Sequence, residues 1–193
     1  MSAVFTGGVP TSATTPATTP APTPAPKLAP ADPRVTTAWQ ALEAVEDPEI
    51  PTLSVIDLGL IRSIKARPDG TLEVGLSPTY VGCPATEVIR RSVEIALRGA
   101  GVGAFAVSNV LSPAWSSDWI TAEGRRKLEI YGIVPPEQSS ASLRDMLRMN
   151  RPVGCPRCHS TDTECISEFG STPCKALHRC RTCLEPFEYF KCI

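Results

Sequence analysis

Two C-x-x-C pairs constrain this chain more than any other feature of its sequence: Cys155-Pro-Arg-Cys158 and Cys180-Arg-Thr-Cys183, with 21 residues between them. Each pair is a turn that aims two sulfurs at one point, and a hairpin can span the interval and bring the two points together. Four thiolates in a tetrahedral array suit zinc, and the same geometry accepts iron, so the pattern alone leaves the metal open. A module of about 40 residues cannot build a sufficient hydrophobic core, so a structural metal takes over part of that role. Between and after the pairs, residues 164–169, 175–180 and 186–190 read as short strands, which predicts a zinc-ribbon β module over residues 153–193. Surface disulfides are the competing reading, and a reducing compartment disfavours them.

Three more cysteines fall in this module. Cys174 lies in the polar turn Phe169-Gly-Ser-Thr-Pro-Cys-Lys-Ala176, where the neighbouring lysine favours a thiolate; it reads as a reactive thiol or labile metal ligand, against an ordinary loop cysteine. Cys165 reads as strand core, and Cys192 has no assignable role. His159 and His178 adjoin the ligand cysteines but read as neighbours of the site, since four sulfurs already complete it.

A second stretch, residues 77–86, joins a strand to a helix and places Cys83 at the junction. Before it, Leu72, Val74 and Leu76 alternate with Glu73, Gly75 and Ser77, the period of a strand with one buried face. After it, Ala85, Val88, Ile89, Val93, Ala96 and Leu97 recur at helical spacing, and Gly99 and Gly101 supply a stop. Pro84 suits the first helical position, which puts Cys83 at or beside the N-cap, where the positive end of the helix favours a thiolate able to attack electrophiles or bind soft metals. The alternative is a small buried cysteine under a loop.

The rest of the chain supplies a frame for that junction. Residues 1–34 carry eight of the 20 prolines and almost no charge, which predicts a disordered, partly polyproline-like arm. The arm does not look like a secretory signal, and no run of about 18 apolar residues occurs, so a cytoplasmic protein without a membrane span is expected. Ala38, Trp39, Ala41, Leu42 and Val45 predict a first helix capped by Thr36 or Thr37. Residues 60–67 and 71–77 pair as a hairpin through Pro68-Asp69-Gly70, residues 104–111 form a third strand beside it, and a polar loop holds Trp115 and Trp119. Residues 121–131, with Leu128 and Ile130, form a last helix ended by Gly132. The sum is an α+β domain over residues 35–136, a small mixed sheet covered by helices, joined by a linker at 137–152 to the ribbon. In the loops, Glu49 and Asp57 are acidic candidates for orienting the Cys83 loop or supplying an oxygen ligand, against plain turn or capping roles.

Asp47-Pro-Glu-Ile50, Asp57-Leu-Gly-Leu60 and Thr79-Tyr-Val-Gly-Cys-Pro84 resemble the three signature stretches of the small α+β domain of iron-sulfur cluster assembly factors of the SUF-T and cytosolic assembly type. With the C-terminal ribbon and Phe169-Gly-Ser-Thr-Pro-Cys-Lys-Ala176 added, residues 35–193 resemble the D-subunit family of the bacterial phenylacetyl-CoA epoxidase system of aerobic phenylacetate degradation. The resemblance implies an accessory role: helping to mature the iron-sulfur or di-iron partners of a multicomponent oxygenase, with its oxygenase and reductase subunits as partners. It implies Cys83 as the residue that contacts or transfers a cluster, with Thr79 in the supporting loop. One cysteine cannot hold a cluster that takes four ligands, so a transient iron-sulfur cluster would be shared with a client or across a homodimer.

Rival classes are weaker. A nucleic-acid-binding ribbon needs a basic footprint, yet residues 141–193 carry eight Lys or Arg against six Asp or Glu, and the whole chain has net charge -1. A protein adaptor without cluster chemistry needs only the ribbon. An enzyme with Cys83 as nucleophile needs a base, and both histidines lie in the other module. A thiol-disulfide oxidoreductase would use the C-x-x-C pairs, and tight zinc retention by all four sulfurs would argue against it.

Overall fold

The computed structural model describes residues 32–80, 82–136 and 153–191; the expectations for the arm before Asp32, for the linker and for Cys192 fall outside the described residues. The first helix, α1 (Pro33–Glu43), starts earlier than the apolar stripe indicates, because Asp32 caps it. Its carboxylate accepts the Arg34 N–H at 2.9 Å, and Pro33 takes the first helical position. Thr36 and Thr37 are already inside the helix, where the Thr37 hydroxyl donates to the Pro33 carbonyl.

Strands β1 (Ile61–Ala66) and β2 (Leu72–Leu76) pair antiparallel. Gly70 turns at φ +83° and the Asp69 carboxylate accepts the Thr71 N–H at 2.9 Å, as the Pro-Asp-Gly turn predicts. Helix α2 (Ala85–Gly99) carries the chain over to β3 (Phe105–Asn109), which joins β2 in parallel, so the sheet order is β1-β2-β3. Strand β2 is therefore central, and Gly75 and Ser77 are buried along with Leu76. The alternation that assigned Gly75 and Ser77 to a solvent face misses this.

Helix α3 (Ala122–Tyr131) is capped by Thr121 and ends in left-handed Gly132. Leu128 and Gly124 are its buried residues, whereas Ile130 faces solvent, as Val88 does on α2. Trp115 and Trp119 are not loop surface. Both are buried: the Trp115 indole N–H donates to the Leu58 carbonyl at 3.0 Å, and the Arg62 guanidinium lies 3.3 Å from the Trp119 ring centroid. The segment 112–121 closes over the loop at 54–60, with Gly59 at φ +65° so near that a Cβ would meet the Trp119 carbonyl at 2.5 Å.

The ribbon is built from β5 (Thr163–Ser167), β6 (Lys175–Cys180) and β7 (Pro186–Phe190), all antiparallel. Its fourth strand comes from the first domain: β4 (Ile133–Val134) runs parallel to β7, giving the order β4-β7-β6-β5. Strand β5 is thus an edge, and Cys165, expected in a strand core, is exposed on it. Phe190 and Cys174 are buried in the core of the first domain, and only Cys155, Cys180 and Phe187 centre a second, smaller cluster. Among the described residues no helix is long and apolar enough to cross a membrane.

Candidate functional site

The two C-x-x-C turns have the same backbone. Cys155 N–H donates to Ser160 O and Cys180 N–H to Glu185 O, and the residue after each second cysteine, His159 or Leu184, takes a left-handed conformation. Arg157 and Glu185 tie one turn to the other at 2.5 Å. All four sulfurs lie within 4.8 Å of one another, with Cys155 to Cys183 at 3.6 Å and Cys158 to Cys180 at 3.5 Å. Bonds of about 2.3 Å to a central zinc give a tetrahedron with edges of about 3.8 Å, so the spacing fits a single zinc. The electrostatics agree. Backbone N–H groups of Cys183 and Thr182 lower the Cys180 thiol to about 6. At Cys158 a Ser160 N–H likewise lowers the thiol, but desolvation and hydrogen bonding with the neighbouring thiols outweigh it and push the group up to about 12. Four thiolates cannot share this space without a cation, and a divalent ion relieves that conflict. His159 is exposed and contributes backbone only; His178 is buried between Phe187 and Tyr189. Neither completes the site.

A second site lies where the ribbon meets the first domain. A small cavity is lined by Asp47, Glu49, Ser77, Thr79, Cys83 and Cys174, over an apolar floor that includes Leu58, Leu76 and Phe190. It offers about 20 Å³, enough for one water or ion. Cys83 sits immediately before Pro84, the N-cap of α2, and its carbonyl accepts the Thr86 N–H at 3.1 Å. Burial, then the interaction with the neighbouring Cys83 and the nearby Glu49 and Cys174, push the Tyr80 phenol up to about 12. Asp47 shapes the approach, since its Oδ1 accepts the N–H groups of Glu49 and Ile50 at 2.8 and 2.9 Å. Burial, and then the Asp47 charge, raise the Glu49 carboxyl above its ordinary range.

Two expectations change here. Lys175 does not make Cys174 a ready thiolate: burial pushes that thiol up, outweighing a hydrogen bond with Thr172 and the lysine charge. The lysine is committed to Glu188 at 2.8 Å. Asp57 does not reach the cavity. Its Oδ2 accepts from Ser54 N–H and Oγ, both at 3.0 Å, and from Lys127 Nζ at 2.6 Å, so it braces the loop against α3. Ser77, in the lining, and Tyr80, beside Cys83, are residues that sequence reasoning did not single out; a serine at the end of an apolar central strand is the signal for the first.

Family descriptions match both halves of the chain: "PaaD zinc beta ribbon domain" over residues 139–191 and "Iron-sulfur cluster assembly protein" over residues 36–110. The chain is 45% identical over 163 residues, 84% of its length and 96% of the relative's, to a candidate D-subunit of 1,2-phenylacetyl-CoA epoxidase from Escherichia coli (strain K12). It is 33% identical over 88 residues, 45% of its length and 83% of the relative's, to an Fe-S protein maturation auxiliary factor of Porphyromonas gingivalis (strain ATCC BAA-308 / W83). Among solved structures, a domain of unknown function, DUF59, from Bacillus anthracis aligns with TM-score 0.47 at 25% identity, over 51% of this chain and 93% of that one.

Proposed function

Because the chain belongs to the D-subunit family of 1,2-phenylacetyl-CoA epoxidase, we propose that it acts as an accessory component of that multicomponent system, helping to mature the iron-sulfur or di-iron centres of its oxygenase and reductase partners, rather than carrying out the epoxidation. The observation that carries this reading is the placement of Cys83: a thiol at the entrance of a helix, on a cavity that also holds carboxylate and thiol side chains. A soft ligand in a niche of that size can hold iron on one side only. Further ligands come from the client, and incomplete ligation of this kind favours transfer over storage.

The ribbon's zinc has a different part. It fixes the turns that hold β6 and β7 in place, and through them Cys174 and Phe190. The cargo is iron, with or without sulfide, and it is a substrate of the protein rather than a resident cofactor.

The test is made on the partners. In cells expressing Cys83→Ser beside the remaining subunits, the iron and acid-labile sulfide content of the purified partners and the rate of phenylacetyl-CoA consumption should both fall, while zinc per accessory chain stays at one. Full partner loading in the Cys83→Ser background would show that the reading is wrong.

A further inference from the structure

Three features of the cavity between the ribbon and the first domain go beyond a single transfer cysteine. Cys83 from the entrance of α2 and Cys174 from the start of the ribbon line the same small space, although 90 residues of chain separate them. Glu49 lines it too, and its carboxylate makes no hydrogen bond or close ion pair among the described residues. Ser77, only 1% exposed, lines it as well, and its hydroxyl has no hydrogen-bond partner. Leaving a buried hydroxyl unpaired is costly, so a folded chain keeps one where something else completes its bonding.

We propose that this cavity is a second metal site, separate from the ribbon's zinc, in which one ferrous ion is held by the sulfurs of Cys83 and Cys174 and an oxygen of Glu49, with the Ser77 hydroxyl donating a hydrogen bond to the ion's sulfur or water ligands. The lining carries two thiols, the carboxylates of Glu49 and Asp47, the latter with its Oδ1 taken by backbone N–H groups, and the Ser77 hydroxyl; such a mixed sulfur and oxygen donor set suits a borderline divalent ion. The space accommodates one ion and not a cluster. The four ribbon cysteines are the one group of described donors that converges within 4.8 Å; Cys83, Cys174 and Glu49 stand farther apart, so the proposed site requires them to draw together on the ion. Both thiols surrender their protons as it binds, giving two protons to solvent for each ion taken up. The identity of the ion as iron rests on the maturation reading; the site itself does not.

The site is read with cobalt(II), a coloured stand-in for iron(II), added without oxygen to the zinc-loaded full chain while zinc release is followed with a chromogenic chelator. One cobalt per chain should bind with a sulfur-to-metal charge-transfer band and no loss of zinc. Cys174→Ala and Cys83→Ala should each remove about half of that band and weaken binding by roughly tenfold or more. Glu49→Gln, at a partly exposed position that does not threaten folding, should weaken binding and keep the band. Cys165→Ser should change nothing. A band that persists in full in Cys174→Ala, cobalt entry only as zinc departs, or unchanged affinity in Glu49→Gln would each overturn the proposal. If Cys174→Ala fails to hold zinc, the Glu49→Gln titration decides alone. Absence of the cobalt site with Cys83-dependent partner maturation intact would remove this site and leave the accessory function standing. Cobalt bound as described, with maturation unaffected by Cys83→Ser, would keep the site and remove that function.

Discussion

At Asp57 burial and bonding oppose each other, and bonding wins. Burial raises the carboxyl, but hydrogen bonds from Lys127 and Ser54 outweigh it and hold the group below an aspartate's ordinary 3.8. A depressed folded value means that this contribution to stability is fully present above the unfolded pKa and drains away as pH falls through the folded one. Asp57→Asn should therefore cost about 1–3 kcal/mol at neutral pH, since it breaks bonds to a charged partner. Its stability should also vary less with pH than the wild type's below about pH 4, as urea titrations at a series of pH values would show. The Asp-Leu-Gly-Leu stretch could be recognised in the sequence, but not its purpose. The partner of Asp57 lies 70 positions away, and no local pattern distinguishes a brace from a ligand. Cys174 teaches the same lesson from the other side. The adjacent lysine is visible in the sequence, while the burial that outweighs it and the Glu188 that claims the lysine are tertiary facts.

At the scale of elements, the loop that delivers Cys174 hangs on one carboxylate. Glu188, on β7, accepts the Ser171 N–H at 2.7 Å and pairs with Lys175, which is only 3% exposed. Gly170 leaves room for it: a Cβ there would stand 2.7 Å from the Glu188 Oε1. Removing one member of a buried ion pair strands the other, so Glu188→Ala should destabilise the chain by about 3–5 kcal/mol in chemical denaturation. Lys175→Met placed together with Glu188→Leu should recover much of that loss, because then no charge is left unpaired. Strands and helices themselves were largely legible: a period-two run gave β2, the Pro-Asp-Gly turn set β1 beside it, a 3.6-residue stripe gave α2, and Thr121 and Gly132 marked the ends of α3. What alternation could not convey was which strand is central and which is an edge. That is why Ser77 proves buried and Cys165 exposed.

Over the whole molecule, the ribbon is not a pendant. Strand β4 leaves the first domain to lie against β7, and Phe190, at the end of β7, is buried in the first domain's core with its ring 6.2 Å from that of Trp115. Composition and cysteine spacing divide the chain at the linker, since each half carries its own motif, and nothing local announces that an aromatic near the C-terminus fills the other half's core. This arrangement couples zinc to the cavity. Metal holds the two turns, the turns hold β6 and β7, and those strands hold Cys174 and Phe190 against the first domain. Phe190→Ala should destabilise the chain by about 3–5 kcal/mol and shift the emission of its tryptophans toward that of solvated indole, because Trp115 loses its neighbour. Stripping zinc with a strong chelator should produce the same tryptophan shift although no tryptophan lies in the ribbon. Independent modules would respond otherwise. Their tryptophan emission would not move when zinc leaves, and the ribbon would then be a separate staple with no hold on the cavity beside Cys83.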